Sequence, residues 1–257
     1  MRFARELKRI SQRYSELVKA TEALNDNSQY PQVTNIGYIN KYKSRQHLIL
    51  LLALDLSATR TEIEYLAQQI ESFFFFSNTI GIQAKNNEGF FARWAAKLRG
   101  VKNIYEIKGV VDETMFAYLA DKVPAFKSAF LNINHSHYNP QYRLRFVLGR
   151  IENTVLSRIG SVRLGHQTID AMQIEHIFPQ TPKNWMVPDE FAEAGEYYIY
   201  VRRLGNATLL ESTINQAVNR FNDMNSDWFQ RKQDEYTKSN IILTNLLHHE
   251  YSIGKNT

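Results

Sequence analysis

Only two stretches of this chain read as β-strands, and both are short, so any sheet they make must be small and supported by helices. The first is Gln-Ile-Glu-His-Ile-Phe-Pro at 173–179. Alternation along Ile174, Glu175, His176 and Ile177 fits a strand, and Pro179, which has no N–H to give a ladder, closes it. The second is Leu-Gly-Asn-Ala-Thr-Leu-Leu at 204–210, entered by a glycine turn and carrying Asn206 near its start.

Helical spacing dominates elsewhere. From Phe3, apolar residues recur at Leu7, Ile10, Tyr14, Leu17 and Val18, one stripe on a helix that should stop in the turn cluster Asn25, Asp26, Asn27 and Ser28 before Pro31. Arg2, Arg5, Arg9 and Arg13 lie beside the stripe; a solvated face is the favoured reading and a grip on phosphate the other. A second helix is predicted over 40–56. Thr61 followed by Glu64 has the capping-box spacing, and Ile63, Leu66, Ala67 and Ile70 continue that helix into four phenylalanines, Phe73, Phe74, Phe75 and Phe76. Four consecutive rings cannot face one core, so they should wedge between two layers or cover another domain. Further helices are predicted over 87–99, 112–120, 124–131 and 141–157.

Length and composition bound the function. A chain of 257 residues, 44% apolar, can bury a full core as one or two domains, and two is the expectation here, 1–140 and 141–257. There is no cysteine, which rules out disulfides and thiolate chemistry and leaves any metal to His, carboxylate, amide or water ligands, the set suited to a hard cation. The N-terminus is charged from the start and the longest apolar run, 48–54, is too short to span a bilayer, so a cytoplasmic protein with no membrane association is expected. The net charge of +5 is unevenly spread: residues 1–160 carry +8 and residues 161–257 carry −3. A polyanion would be drawn to the former and a cation to the latter, although both could be ordinary solvated faces. Along 141–157, Arg143, Arg145 and Arg150 alternate with apolar positions, placing a basic helix where it could touch a DNA backbone, with aliphatic-stem packing as the alternative. His135 and His137 alternate in a loop without an evident third ligand. No repeat, glycine-rich phosphate loop or low-complexity tract is present.

After 179 come a polar connector holding Trp185 and an aromatic helical segment over 191–200. Beyond the second strand, Ser212 or Thr213 can cap a helix on which Asn215, Asn219 and Asn222 recur at steps of four and three. Asparagine is a poor helix interior residue, so three on one face suggest a purpose beyond helix stability. The order strand, loop, strand, helix then carries a histidine, an asparagine and another asparagine. Phosphodiester hydrolysis needs a water deprotonated in line with the leaving oxygen and a cation to offset charge on the phosphate. His176, an imidazole that titrates close to neutrality, suits the deprotonation. Glu175 and the amide oxygen of Asn215, completed by waters, suit Mg²⁺. Adjacent strand residues point to opposite faces, so a metal role for Glu175 requires distortion at the strand end or a metal at its edge. Asn206 can reach the loop after the first strand and hold the histidine in place.

The ordered set Ile-Glu-His-Ile-Phe-Pro-Gln, Leu-Gly-Asn-Ala-Thr-Leu-Leu, Asn215 with Asn219, then Phe229, Lys232, Tyr236 and Ser239 resembles the C-terminal nuclease family of GmrSD-like type IV restriction enzymes, over about 140–245. That family belongs to the HNH, or His-Me finger, nucleases. The resemblance implies a mainly α fold, with a helical N-terminal part and a C-terminal HNH-type ββα-metal unit embedded in helices. It further implies His176 as general base, Asn206 as the central asparagine, and Glu175 and Asn215 as metal ligands with Asn219 adjacent; Lys232 is expected to contact DNA together with Arg143, Arg145 and Arg150. Asp is commoner than Glu before the histidine, and Asn rather than His at Asn215 favours Mg²⁺ or Mn²⁺ over zinc. Relatives usually carry an upstream ParB-like nucleotide-binding domain; no such motif occurs here, and residues 1–140 look like the segment that follows it.

The function expected is therefore a divalent-metal DNA endonuclease of restriction or anti-phage defence, nicking or cleaving. The alternatives are a catalytically idle helical DNA-binding or protein-interaction module and, behind it, an RNase.

Overall fold

The computed structural model describes residues 2–23, 28–40, 45–82, 86–134, 141–182, 191, 193–223 and 226–250. His135, His137, Trp185 and most of the 25–28 turn cluster lie outside them. The chain divides into two compact units, Met1–Leu131 and Asn132–Thr257. Among the described residues no helix is long and apolar enough to cross a membrane.

Among the described residues the N-terminal unit holds helices alone: α1 (Arg2–Glu22), α2 (Pro31–Ile39), α3 (His47–Leu51), α4 (Arg60–Thr79), α5 (Asn87–Leu98), α6 (Ile104–Val111), α7 (Ala117–Leu119) and α8 (Val123–Leu131), with a π-helical turn at Asp112–Phe116. Helix α2 fills 31–39, between the expected turn cluster and the helix expected from 40; Pro31 opens it at a position where a missing N–H costs nothing. Of the helix expected over 40–56, the described residues form α3. The capping box falls two residues earlier than predicted: Thr59 Oγ1 accepts from the Glu62 N–H while the Glu62 carboxylate accepts from the Thr59 N–H at 2.7 Å. Glu64 is instead spent on the Gln32 N–H of α2, at 3.1 Å. A helix also begins earlier than 112, at Ile104, because Asn103 caps it by accepting from the Tyr105 and Glu106 N–H groups.

The four phenylalanines split between two neighbours of α4. Phe73 and Phe74 meet Phe91 and Phe73 also meets Trp94, both on α5, whereas Phe76 stacks on Phe126 of α8 at 4.3 Å and Phe75 faces Phe126 and Phe130 edge-on. Two of the arginines of α1 serve the fold. Arg13 donates to the Asp55 and Leu56 carbonyls at 2.6 and 2.8 Å, and Arg9 to Leu56 at 3.0 Å, fixing the loop before α4. Helices α1 and α2 approach so closely that a Cβ on Gly37 would lie 1.8 Å from the Thr21 carbonyl oxygen.

His47 is fully buried in this unit, its Nε2 2.7 Å from Thr21 Oγ1. Thr21 spends its own proton on the Leu17 carbonyl, so His47 Nε2 donates to it and Nδ1, buried without a hydrogen-bond partner, holds only a lone pair. Burial, with a smaller push from Arg45, holds the imidazole at about 4, against 6.5 when unperturbed. The unfolded chain therefore takes up this proton first. Stability from neutral His47 is complete above pH 6.5 and is lost as pH falls toward about 4, by roughly 3 kcal/mol in all. Denaturant melts across that interval should show the loss, and His47→Gln should remove most of its slope; parallel slopes for the two proteins would contradict it.

The C-terminal unit holds α9 (Tyr142–Arg158), α10 (His166–Ala171), β1 (Gln173–His176), α11 (Ala194–Val201), β2 (Ala207–Leu210), α12 (Ser212–Val218), α13 (Trp228–Tyr236) and α14 (Ile242–Glu250). Strands β1 and β2 pair antiparallel, with Gln173 opposite Leu210 and His176 opposite Ala207. The second strand is shorter than predicted, since Leu204–Asn206 form a 3₁₀ turn before it. One core of Leu144, Leu148, Ile169, Leu209 and Ile241 fastens α9, α10 and β2; another joins Leu210, Val218 and Tyr236 beneath α12 and α13. Glu152, fully buried on α9, caps α14 across the core by accepting from the Ile242 and Leu243 N–H groups at 2.8 and 3.0 Å.

Candidate active site

Strand β1 sends neighbouring side chains in opposite directions, as period two demands. Glu175 turns inward, 4% exposed, and His176 sits half-buried on the other side. The inward carboxylate meets α13: Lys232 Nζ donates to Glu175 Oε1 at 2.8 Å and the Tyr236 hydroxyl to the same oxygen at 3.1 Å. Lys232 gives its other two protons to the carbonyls of His176 and Ile177, each at 3.0 Å. All three ammonium donors are thus used with the side chain fully out of solvent. Burial lowers the Lys232 pKa while Glu175 opposes the shift; burial and then the Glu175 charge raise Tyr236 well above the usual phenol value.

Two sequence expectations are corrected by this geometry. Lys232 does not face solvent and so does not meet a phosphate backbone; it anchors the carbonyl of the candidate base. Glu175, expected as a metal ligand, instead turns inward, 4% exposed, with its Oε1 taken by Lys232 and Tyr236. Arg145 likewise serves the fold, its Nε donating to the Met172 carbonyl at 2.9 Å at the junction of α10 and β1. Arg143 and Arg150 are half-buried on α9, the former with Nε 3.4 Å from the Tyr142 hydroxyl.

Asn206 grips the loop after His176. Its Oδ1 accepts from the Phe178 N–H at 2.7 Å, and its Nδ2 donates to the Phe178 carbonyl at 2.9 Å and the Val201 carbonyl at 2.8 Å. It thus reaches the loop after the first strand, holding backbone two residues beyond the histidine. The ladder is extended by the Ile177 N–H donating to the Asn206 carbonyl at 3.0 Å. The group against the ring is Gln180, whose Nε2 lies 3.0 Å from His176 Nε2. Gln180 carried no expected role, although four residues past a strand-end histidine it is within reach of the ring.

Helix α12 packs against β1. Its N-cap is Glu211, not Ser212 or Thr213, and the Glu211 carboxylate accepts from the Ser239 hydroxyl at 2.7 Å and the Asn240 N–H at 2.8 Å. Asn215 Oδ1 is buried with no hydrogen-bond partner. Asn219 lies beyond the helix on a 3₁₀ turn, exposed, with its Oδ1 accepting from Asn222 at 3.2 Å, so it is not a second inward donor beside Asn215. Among the described residues no three His, Cys, Asp or Glu side chains cluster as a metal site.

Fold and site together define a mainly helical unit in which a two-stranded sheet and the next helix present a histidine and an unpartnered amide oxygen above a buried ionic anchor. Residues 120–257, more than half of the chain, match the family of GmrSD restriction endonucleases, C-terminal domain, and the chain belongs to that family. No curated protein matches it. Membership makes this a nuclease domain of a restriction system, with DNA the substrate that implies.

Proposed function

We propose that the C-terminal unit hydrolyses DNA phosphodiester bonds with a divalent cation, in the manner of an HNH-type nuclease, with His176 as general base and Asn215 as a cation ligand. The observation that carries this reading is the buried Oδ1 of Asn215. A buried amide oxygen without a donor costs about 1–3 kcal/mol, and such a group in a native fold calls for a partner. A hard oxygen donor on the helix packed against β1, with waters and phosphate oxygens completing the shell, fits Mg²⁺ or Mn²⁺, which need few protein ligands. The bound ion would supply charge neutralisation at the phosphate.

The chain's own residues supply the rest. His176 accepts the proton of the attacking water at a ring nitrogen, and the Gln180 amide, 3.0 Å from Nε2, marks where a polar group can sit against the ring. Lys232 and Asn206 are positioning residues: one fixes the His176 carbonyl, the other the backbone of Phe178, so the ring is carried on a segment tied down on both sides. Glu175 contributes through Lys232. An upstream ParB-like nucleotide-binding domain and a setting in defence against foreign DNA belong to the same proposal.

Chelation should stop nicking of supercoiled plasmid, and added Mg²⁺ or Mn²⁺ should restore it. Asn215→Ala should raise the ion concentration for half-maximal rate at least about ten-fold, with Mn²⁺ affinity read by electron paramagnetic resonance falling in parallel. Chelator-insensitive nicking, or an unchanged ion requirement in the variant, would sink the proposal.

A further inference from the structure

Helix α11 presents an exposed aromatic and basic end that the chemistry above does not use. Tyr200 is 43% exposed and Ile199 60%, and Arg202 and Arg203 follow, both exposed. The Arg203 guanidinium lies over Tyr200, its carbon 4.3 Å from the ring centroid. Its backbone is held as well: the Arg203 N–H donates to the Tyr200 carbonyl at 3.0 Å, Arg203 bridges to Asn134, and the Leu204 N–H donates to the Ile133 carbonyl at 3.2 Å. An exposed arginine with both backbone and guanidinium fixed has lost much of the rotamer freedom that binding would otherwise cost.

This end of α11 is tied to the loop that carries the candidate base. The Tyr197 hydroxyl donates to the Pro179 carbonyl at 2.6 Å, and Asn206 bridges the Val201 and Phe178 carbonyls. The helix is therefore fastened to the segment that follows His176. The carboxylates of the helix, Glu193 and Glu196, lie at its opposite, N-terminal end, leaving the C-terminal end cationic. We propose that Arg203, stacked on Tyr200 and assisted by Arg202, grips a phosphate of the strand cut at His176 and sets its register. A planar fork on an aromatic ring is suited to bidentate contact with phosphate oxygens, and exposed Tyr200 keeps it from swinging away. The inference rests on the nuclease reading.

The test uses the full chain and a short fluorescein-labelled DNA duplex, with affinity measured by anisotropy in chelator across a salt series and plasmid nicking measured with Mg²⁺. Arg203→Ala should weaken binding several-fold, make the log–log salt slope shallower by about one, and raise KM by a similar factor with kcat nearly unchanged. Tyr200→Phe, which keeps the stack, should behave as wild type, and Tyr200→Leu should fall between. An Arg203→Ala protein with wild-type affinity and salt slope, while the wild type binds and nicks, overturns this inference alone. A wild-type chain that neither binds nor nicks DNA removes the nuclease reading and this inference with it.

Discussion

Replacing Lys232 by Met is expected to cost the C-terminal unit about 3–5 kcal/mol of stability, the range for stranding one member of a buried ion pair. The substitution keeps the apolar stem and removes only the charge and its three hydrogen bonds, to Glu175 Oε1 and to the carbonyls of His176 and Ile177. Glu175, 4% exposed, would keep only the Tyr236 hydroxyl. An exposed pair such as Arg231 with Asp227, at the start of the same helix, contributes at most about 1 kcal/mol, so the contrast between the two sites is large. Chemical denaturation measures it directly. Adding Glu175→Leu to Lys232→Met removes the stranded charge as well and should recover much of the loss. A single-variant loss below about 1 kcal/mol, or no recovery in the pair, would contradict the anchoring role. The same replacement should also impair catalysis beyond its effect on folding, since the His176 carbonyl loses its tether.

The strand pair was legible because four residues of alternation and a closing proline suffice to define a short strand, and because Asn206 follows a glycine turn. The opposed faces of Glu175 and His176 were legible too, from period two alone. What the strand rule could not say was which face is inside. Lys232 resolves that, and its own signal is visible in retrospect: Phe229, Lys232, Gln233 and Tyr236 share the buried face of α13 at steps of three and four, so a lysine stands within an apolar face. Lysine is so seldom buried without a partner that the surface reading prevails until the partner is seen. Helix α2 was missed for a related reason, since Pro31 reads equally as the end of a turn and the start of a helix. The division of the phenylalanines between α5 and α8 needed the tertiary structure, because a run of four identical residues carries no periodicity to assign faces. Asn215 was singled out from poor helix propensity, and the burial of its Oδ1 without a partner is the structural counterpart of that signal.

Replacing His176 by Ala should lower the chemical step by roughly 10²–10⁴-fold, the usual contribution of a positioned general base, while leaving the fold intact. The ring is half-buried and points away from the Glu175 anchor, so its loss opens no gap in that network. DNA affinity should also stay close to wild type, since the proposed phosphate grip lies on α11. Single-turnover nicking of supercoiled plasmid in Mg²⁺, run on wild-type and His176→Ala protein of matched thermal melting profile, tests the central claim most directly. Open-circular product is predicted from the wild type, with a loss of at least about a hundred-fold in rate for the variant; equal rates for the two proteins would contradict the role of His176 as base.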